Sequence, residues 1–395
     1  MELGKQDPLN RRFTAEENWK GALDDSAILA REPSDHIIKL EGVTKDTASG
    51  AAAPRRHFEP EKDLADLIEN GYKFYDRIGK GSLGYVYQAQ SANSEALLAV
   101  KIFHRKLFEN KRSLKRLEQE ASRARELSHP HISAVYEFGV CQKGYPYIVG
   151  DFMAGPSIQE VLKEEGFLDV PRALDIFAQV ADALDYIHEN GCLHRDLKPS
   201  NIYLLKAQGG GDYVKLIDVG IAKFLPNPGR ETKFMTPEGE EFGNPTYMSP
   251  EQCKGDKLTV ASDLYALGCT LYECLCGKPP LTSSNPVKLA FKQVSEKPRS
   301  LTERFNDLDI PESLDAVVMR LLEKEPQNRY ASARELREDL VAISEGRKPK
   351  LKKVSEFKKT TQGSQPGRMK TTEALDILGG LLDIINRKKN QPKSD

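Results

Sequence analysis

The sequence predicts an α+β fold between about Tyr72 and Ser344, with polar extensions on both sides. Three observations indicate this fold class. A glycine turn at residues 79–84 is followed by an aromatic and β-branched stretch, which favours a strand. Residues 97–103 form an apolar run typical of a buried strand. Residues 172–190 repeat apolar positions every three or four residues, which predicts an amphipathic helix.

Composition excludes several classes of protein. Lys and Arg number 58 and Asp and Glu 59 in 395 residues, so a formal net charge of −1 provides no field that would attract nucleic acid. No apolar run reaches the roughly 18 residues of a membrane span, and the N-terminus lacks the apolar core of a secretory signal. Six Cys without a CxxC pair argue for a reducing compartment and against a disulfide framework or a zinc ribbon. We therefore expect a cytoplasmic protein.

The two ends of the chain differ from its middle. Residues 1–60 are polar and interrupted by small residues, which predicts a disordered arm. Residues 346–395 carry 13 Lys or Arg against 5 Asp or Glu, a net charge of +8. They divide into a basic linker (346–371) and an amphipathic helix (372–389). We expect this helix to dock on a partner or on the chain itself, with peripheral binding to an anionic membrane second and a solvated linker as the plain alternative.

The glycine turn has the composition of a phosphate-binding loop. Gly79, Gly81 and Gly84 lie between two strands rather than before a helix, which separates this pattern from that of dinucleotide-binding folds. Glycines without Cβ let backbone N–H groups approach an anionic phosphate. An ordinary glycine hairpin explains this segment equally well when it is taken alone.

A single lysine interrupts the next apolar strand. Lys101 needs anionic partners there, since burying an unpaired charge is costly. Glu120 offers one, because it shares a helical face with Leu117, Ala124 and Leu127. We expect the two charges to pair, which would leave the lysine to meet phosphate; a glutamate at the helix edge is the plain alternative.

Two polar motifs follow the amphipathic helix. HRDLKPSN, residues 194–201, precedes one apolar strand, and DVG, residues 218–220, ends the next strand. With the glycine turn, Lys101, Glu120 and the stretch GNPTYMSPE at residues 243–251, these motifs follow one another in a characteristic order and spacing. Over residues 72–344 the chain resembles the eukaryotic-like serine/threonine protein kinases of bacteria.

The resemblance implies a two-lobed protein-kinase fold, with a small antiparallel-sheet lobe at residues 72–149 and a larger, mainly helical lobe at residues 151–344. It also implies transfer of the ATP γ-phosphate, which needs positioning and charge neutralisation more than covalent chemistry. Asp196 would accept the proton of the substrate hydroxyl, and Lys198 would neutralise the moving phosphate. Asn201 and Asp218 would bind Mg²⁺, which Mn²⁺ could replace.

The resemblance also assigns the nucleotide contacts. Lys101, held by Glu120, would bind the α- and β-phosphates of ATP. The other ATP-binding positions that it implies are Ile78, Gly79, Gly81, Gly84, Val86, Ala99, Gly150, Asp151 and Met153.

Other positions resemble family residues without a chemical role. Asp263 lies in an apolar helix, where a charge needs partners, and it resembles the aspartate that braces the catalytic loop. Arg329 resembles the arginine that pairs with Glu251. We expect His194 to be an internal scaffold residue rather than a base.

Three positions depart from the common family pattern. Val219 replaces the usual Phe of DFG, so we expect the active arrangement to be lost more easily. Asn244 replaces Thr, which makes the choice of substrate hydroxyl less secure. Gly150 lies at the gatekeeper position before the hinge, where a missing side chain should leave extra room behind the adenine.

The resemblance also suggests a switch. Arg195 precedes the catalytic aspartate, and in this family such an arginine often pairs with a phosphate on the activation segment. Thr232 and Thr236 are the candidate phosphorylation sites, with an unmodified loop as the alternative.

We therefore predict an ATP-dependent serine/threonine protein kinase that acts on protein substrates and phosphorylates its own activation segment. Val219 and Asn244 motivate a rival, a catalytically weak ATP-binding scaffold. A third class, a kinase-like enzyme for small molecules, is disfavoured by GNPTYMSPE, a peptide-docking element in the family.

Overall fold

A computed structural model describes residues 67–68, 71–81, 83–108, 110–207, 210–220 and 245–351. Its strands are β1 (Tyr72–Gly81), β2 (Gly84–Ser91), β3 (Leu97–Phe103), β4 (Val135–Val140), β5 (Pro146–Asp151), β6 (Ile202–Lys206) and β7 (Asp212–Leu216). Its α-helices are α1 (Lys111–Glu126), α2 (Ile158–Glu165), α3 (Val170–Glu189), α4 (Pro250–Lys254), α5 (Val260–Cys276), α6 (Pro286–Ser295), α7 (Leu301–Arg304), α8 (Glu312–Leu321) and α9 (Ala333–Ser344). Both predicted extensions, residues 1–60 and the helix at 372–389, lie outside the described residues.

The N-terminal part is a five-stranded antiparallel sheet in the order β1-β2-β3-β5-β4. Alternation along β3 divides its side chains between two faces. Leu98, Val100 and Ile102 pack into a cluster with Leu67 and side chains of β1 and β2. Lys101 alternates to the opposite face, where Phe103 joins Leu117 of α1 in a second cluster. The sheet therefore presents its lysine on the side that α1 covers.

The C-terminal part is mainly helical and has its own core. α3 begins at the N-cap Asp169, with a proline in its first turn, as helix starts favour. Its apolar face packs with residues of α5 and α8 in one core, and α3 also contacts α9. The hairpin of β6 and β7 joins this core and carries the two polar motifs of the sequence. The predicted two-lobed α+β architecture is confirmed.

No helix in the described residues is both long and apolar enough to cross a membrane.

Candidate active site

The glycine turn forms the hairpin between β1 and β2, as predicted. Gly81 pairs with Gly84 where the two strands meet. A Cβ on Gly84 would lie 1.9 Å from the carbonyl oxygen of Ile102, whereas one on Gly81 would meet no atom within 4 Å. Close packing against β3 therefore requires glycine at position 84, and the space around Gly81 stays open. Gly79 lies opposite Val86 in the same hairpin.

Several of the predicted ATP-binding positions lie next to one another across the sheet. Val86 pairs with Lys101, and Ala99 pairs with Gly150 on β5. Ile78, on β1, is 48% exposed. The chain passes from β5 towards α2 at residues 151–153, next to the paired positions Ala99 and Gly150.

Asp151 is one of the predicted ATP-binding positions, but its side chain makes contacts within the protein. Its carboxylate accepts a hydrogen bond from the backbone N–H of Ala134, at 2.9 Å, and one from the hydroxyl of Tyr136. Its own N–H donates to the Ala134 carbonyl at 3.1 Å. Asp151 therefore fastens the start of β4, and only its backbone is left to meet a nucleotide. Met153, two residues on, is half-buried.

The backbone comes close to Gly150, where extra room is predicted. A Cβ at this position would lie 2.6 Å from the carbonyl oxygen of Ala134. The backbone before β4 therefore lies close to Gly150 on the side where a Cβ would point, and the extra room behind the adenine stays a prediction.

Lys101 has an anionic partner that the sequence reasoning did not pair with it. Its Nζ lies 2.6 Å from Oδ2 of Asp218, 117 residues later in the chain. The Glu120 side chain is only 12% exposed, as an inward carboxylate should be, and it forms an ion pair with Arg123, at 3.4 Å. Oδ2 of Asp218 is thus a counter-charge of Lys101, and the expected pairing of Lys101 with Glu120 stays a prediction.

Glu120 nevertheless faces the motif that follows β7. Its Oε2 would lie 3.7 Å from a Cβ built on Gly220, which has a φ of +73°. Val219, between Asp218 and Gly220, is buried against the C-terminal core. The carboxylate therefore lies beside the DVG turn.

The electrostatics favour an ionised Asp218. Burial alone would raise the pKa of this carboxyl, but the charge and hydrogen bond of Lys101, with Lys198 and His194, hold it below its usual value. Asp218 also has a left-handed backbone, φ 60°, which non-glycine residues adopt at a cost. Its oxygens are thus available as anionic ligands.

The HRDLKPSN motif brings three polar side chains together. Lys198 Nζ lies 2.6 Å from Oδ2 of Asp196. Asn201 Nδ2 donates to the Asp196 backbone carbonyl at 2.7 Å and to Oδ2 at 3.1 Å. Because both bonds use the amide nitrogen, the amide oxygen of Asn201 points away from Asp196. The Asp196 and Lys198 side chains are about one-third exposed, at 33% and 35%, so an incoming substrate can reach them.

Asp263 braces this motif from beneath. One of its oxygens accepts the His194 N–H at 2.9 Å and the other the Arg195 N–H at 2.8 Å, while His188 Nε2 lies 2.8 Å from the first. Burial would raise the pKa of Asp263, but the contacts with His188 and the neighbouring groups lower it below its usual value. The carboxylate holds Arg195 in a left-handed conformation, φ 68°, immediately before Asp196. His194 is fully buried.

Arg329 and Glu251 form the predicted buried pair. Nη1 and Nη2 of the guanidinium donate to the two carboxylate oxygens at 2.7 and 2.9 Å. The segment that follows the 3-10 turn Pro326–Asn328 is thereby joined to the first turn of α4, which contains Glu251.

Some sequence predictions fall on residues that the structure leaves undescribed. Asn244 and the candidate phosphorylation sites Thr232 and Thr236 lie within residues 221–244, outside the described ranges.

Tyr203 is a site residue that the sequence reasoning missed. It alternates along β6 to the face opposite the buried Ile202 and Leu204. Burial first, and then the charges of Glu160 and Asp218, raise the pKa of its hydroxyl. Tyr203 directly follows the first residue of the strand after HRDLKPSN, and the alternation of that strand was the available signal.

The sequence is similar to known proteins over most of its length. The profile of the protein kinase domain matches residues 72–341. PknB, a serine/threonine-protein kinase of Mycobacterium tuberculosis, is 35% identical over 290 residues, which is 73% of this chain and 45% of PknB. The pkn3 kinase of Myxococcus xanthus is 34% identical over 291 residues, 73% of this chain and 53% of that protein. The chain thus spans about half the length of these relatives.

Solved structures agree with the sequence relatives. A crystal structure of the Mycobacterium tuberculosis PknI kinase domain matches with a TM-score of 0.55 and 27% identity, covering 70% of this chain and 96% of that one. The resemblance that the motifs indicated is therefore confirmed, and the chain belongs to the protein kinase family, as these bacterial serine/threonine kinases do.

Proposed function

We propose that this protein is an ATP-dependent serine/threonine protein kinase. The observation that carries the proposal is the convergence of Asp196, Lys198 and Asn201 within hydrogen-bond distance on one braced loop. Phosphoryl transfer needs such fixed charges more than it needs a covalent nucleophile.

Asp196 is the residue that would orient the substrate hydroxyl and accept its proton. Lys198 keeps a positive charge 2.6 Å from that carboxylate, where it would also neutralise the transferring phosphate. Asn201 fixes the carboxylate through its amide nitrogen. Each of the three side chains thus has a separate task.

Asn201 and Asp218 are the residues that would hold Mg²⁺, with Mn²⁺ as a substitute. The donor set fits a hard cation, since it combines an amide oxygen turned away from Asp196 with a carboxylate of lowered pKa. The metal supplies charge neutralisation when it is bound with the nucleotide. Lys101, already in contact with Asp218, would hold phosphate oxygens beside it.

The state of the cysteines indicates the compartment that we propose for the protein. All six cysteines are free thiols, which supports a reducing compartment, and we propose the cytoplasm. Proteins are the proposed substrates. Docking through the helix at 372–389, and phosphorylation of Thr232 or Thr236 with Arg195 as the phosphate contact, stay predictions because those segments lie outside the described residues.

The intact mass of the protein after incubation with Mg-ATP tests the proposal, with Asp196→Asn and Asp218→Ala as matched variants. We expect mass steps of one phosphate in the wild type and none in either variant, and peptide mapping would then locate the modified residues. A generic protein substrate is included, so that an enzyme unable to phosphorylate itself is still detected. ATP-dependent thermal stabilisation without transfer to either acceptor would instead favour the non-catalytic scaffold.

A further inference from the structure

A buried glutamine holds the segment expected to dock the protein substrate. We call the single 3-10 turn Pro245–Tyr247 the docking segment. Gln293 of α6 is fully buried, and its Nε2 donates to the carbonyl oxygens of Pro245, at 3.0 Å, and Thr246, at 2.7 Å. One amide group therefore satisfies two consecutive backbone acceptors, 47 and 48 residues before it in the chain.

Two further side chains fix the orientation of that amide. Tyr265 Oη donates to Gln293 Oε1 at 2.6 Å, and Lys324 Nζ donates to Tyr265 Oη at 2.7 Å. The protonated Lys324 ammonium can only donate hydrogens to the phenol oxygen, so the phenol proton points towards Gln293. A flipped amide would set its NH₂ against that proton and its oxygen against two carbonyls. The row Lys324–Tyr265–Gln293 therefore permits one orientation.

The docking segment is also tied to the catalytic loop. The helix that follows it, α4, carries Gln252, whose Nε2 donates to the Arg195 carbonyl at 3.2 Å. Arg195 immediately precedes Asp196. Tyr247 holds the other end of the segment, through a hydrogen bond of 2.6 Å to Glu273 of α5. The docking segment is thus linked through α4 to the residue that precedes Asp196, so a shift of the segment would change its distance to this aspartate.

We propose that Gln293, oriented by Tyr265 and Lys324, is a positioning residue that sets the docking segment for the protein substrate. None of the three is among the residues that would contact nucleotide or metal. The inference rests on the proposed kinase function, and it assigns to this row an effect on substrate binding that is separate from nucleotide binding and from chemistry.

Steady-state kinetics of the full chain test the proposal, with a generic phosphoacceptor protein and ATP varied in turn. Gln293→Met keeps the volume and removes both donors, and Tyr265→Phe keeps the ring and removes the hydroxyl. The matched control is Thr270→Val in α5, which removes a buried hydroxyl whose bond, to the Ala266 carbonyl, stays within its own helix. All variants are compared at a temperature where each is folded.

We expect the KM for the protein to rise on the order of tenfold in Gln293→Met. The rise should be smaller in Tyr265→Phe, and the KM for ATP should stay within about twofold in both. Thr270→Val should change neither KM. Equal changes in both KM values, or changes matched by Thr270→Val, would show a merely structural role and overturn the proposal.

Amide hydrogen exchange gives a second readout that does not need turnover. Peptides covering residues 245–249 should exchange faster in Gln293→Met and Tyr265→Phe than in the wild type or Thr270→Val. Unchanged protection of these peptides refutes the positioning role. A wild type that transfers no phosphate to any acceptor refutes the kinase function instead, and the exchange result then decides alone whether Gln293 anchors the segment.

Discussion

The pair of Arg329 and Glu251 offers the sharpest test of how this fold is held together. The Arg329 side chain is fully buried and that of Glu251 is 7% exposed. Besides the carboxylate, the guanidinium donates to three backbone carbonyls at 2.7–2.9 Å, those of Ala261, Glu323 and Lys324. One side chain therefore satisfies a buried anion and three backbone acceptors.

Arg329→Met keeps the length of the side chain and removes every donor. Breaking a buried ion pair from one side costs about 3–5 kcal/mol, because the remaining charge is left uncompensated. The free energy of unfolding of a domain is only about 5–15 kcal/mol, so the variant should lose a large fraction of it. We expect a loss of about 3–5 kcal/mol at neutral pH in urea unfolding.

The pH dependence of that loss has a definite sign. Burial alone would raise the pKa of Glu251, but the hydrogen bonds and charge of Arg329 bring it below its usual value. A carboxyl with a depressed pKa stabilises the fold above its unfolded pKa of about 4.3, and this contribution disappears as the pH falls through the folded pKa. The difference between wild type and Arg329→Met should therefore shrink at acid pH.

The double variant Arg329→Met with Glu251→Gln is the control. It leaves no uncompensated charge, so its loss should be smaller than the sum of the two single losses by more than about 1 kcal/mol. Additive losses, or a loss below about 1 kcal/mol in Arg329→Met, would refute the reasoning that the pair is buried and coupled.

Three further outcomes are expected. Gly150→Ala should destabilise the protein by about 1–3 kcal/mol in urea unfolding, because its Cβ would lie 2.6 Å from a backbone carbonyl oxygen. Gly81→Ala is the control and should cost less, since no atom lies within 4 Å of its Cβ. Equal losses in the two variants would contradict the steric explanation. Burial lowers the pKa of His194 despite nearby carboxylates. The neutral imidazole should therefore stabilise the fold above the unfolded pKa of about 6.5, and this contribution should be lost as the pH falls below that value. His194→Asn should flatten the pH dependence of the free energy of unfolding, and an unchanged profile would argue against this role of His194. Lys101→Met removes the counter-charge of Asp218 and should reduce the rise in melting temperature caused by Mg-ATP, whereas an undiminished rise would show that the lysine does not hold phosphate.

The local structure around the site follows closely from the sequence. The apolar run predicted as a strand at residues 97–103 is β3 with the same bounds, and the helix predicted from residue 172 is α3. These elements depend on side-chain spacing along neighbouring residues, which the sequence displays directly. The bracing role of Asp263 could also be predicted, because a charge in an otherwise apolar helix requires buried partners. The backbone N–H groups of His194 and Arg195 are those partners.

Partner choice was harder to predict. The sequence indicated that Lys101 needs an anion and that Glu120 faces inward, and both statements hold. The contact of Lys101 with Asp218 depends on where the turn after β7 packs against the sheet. Asp218 lies 117 residues later in the chain, so no local pattern of residues predicts this contact.

The sequence by itself determined the order of motifs, the strands and helices that carry them and the charges that must be compensated. Only the tertiary structure decided that Asp218 is a partner of Lys101, that a backbone carbonyl lies close to Gly150, and that Gln293 reaches the docking segment. The physical reason is that helix and strand patterns arise from neighbouring residues, whereas these contacts arise where segments distant in the chain pack together. A side chain's charge or size states what it requires, and the packing of the whole fold selects the atom that provides it.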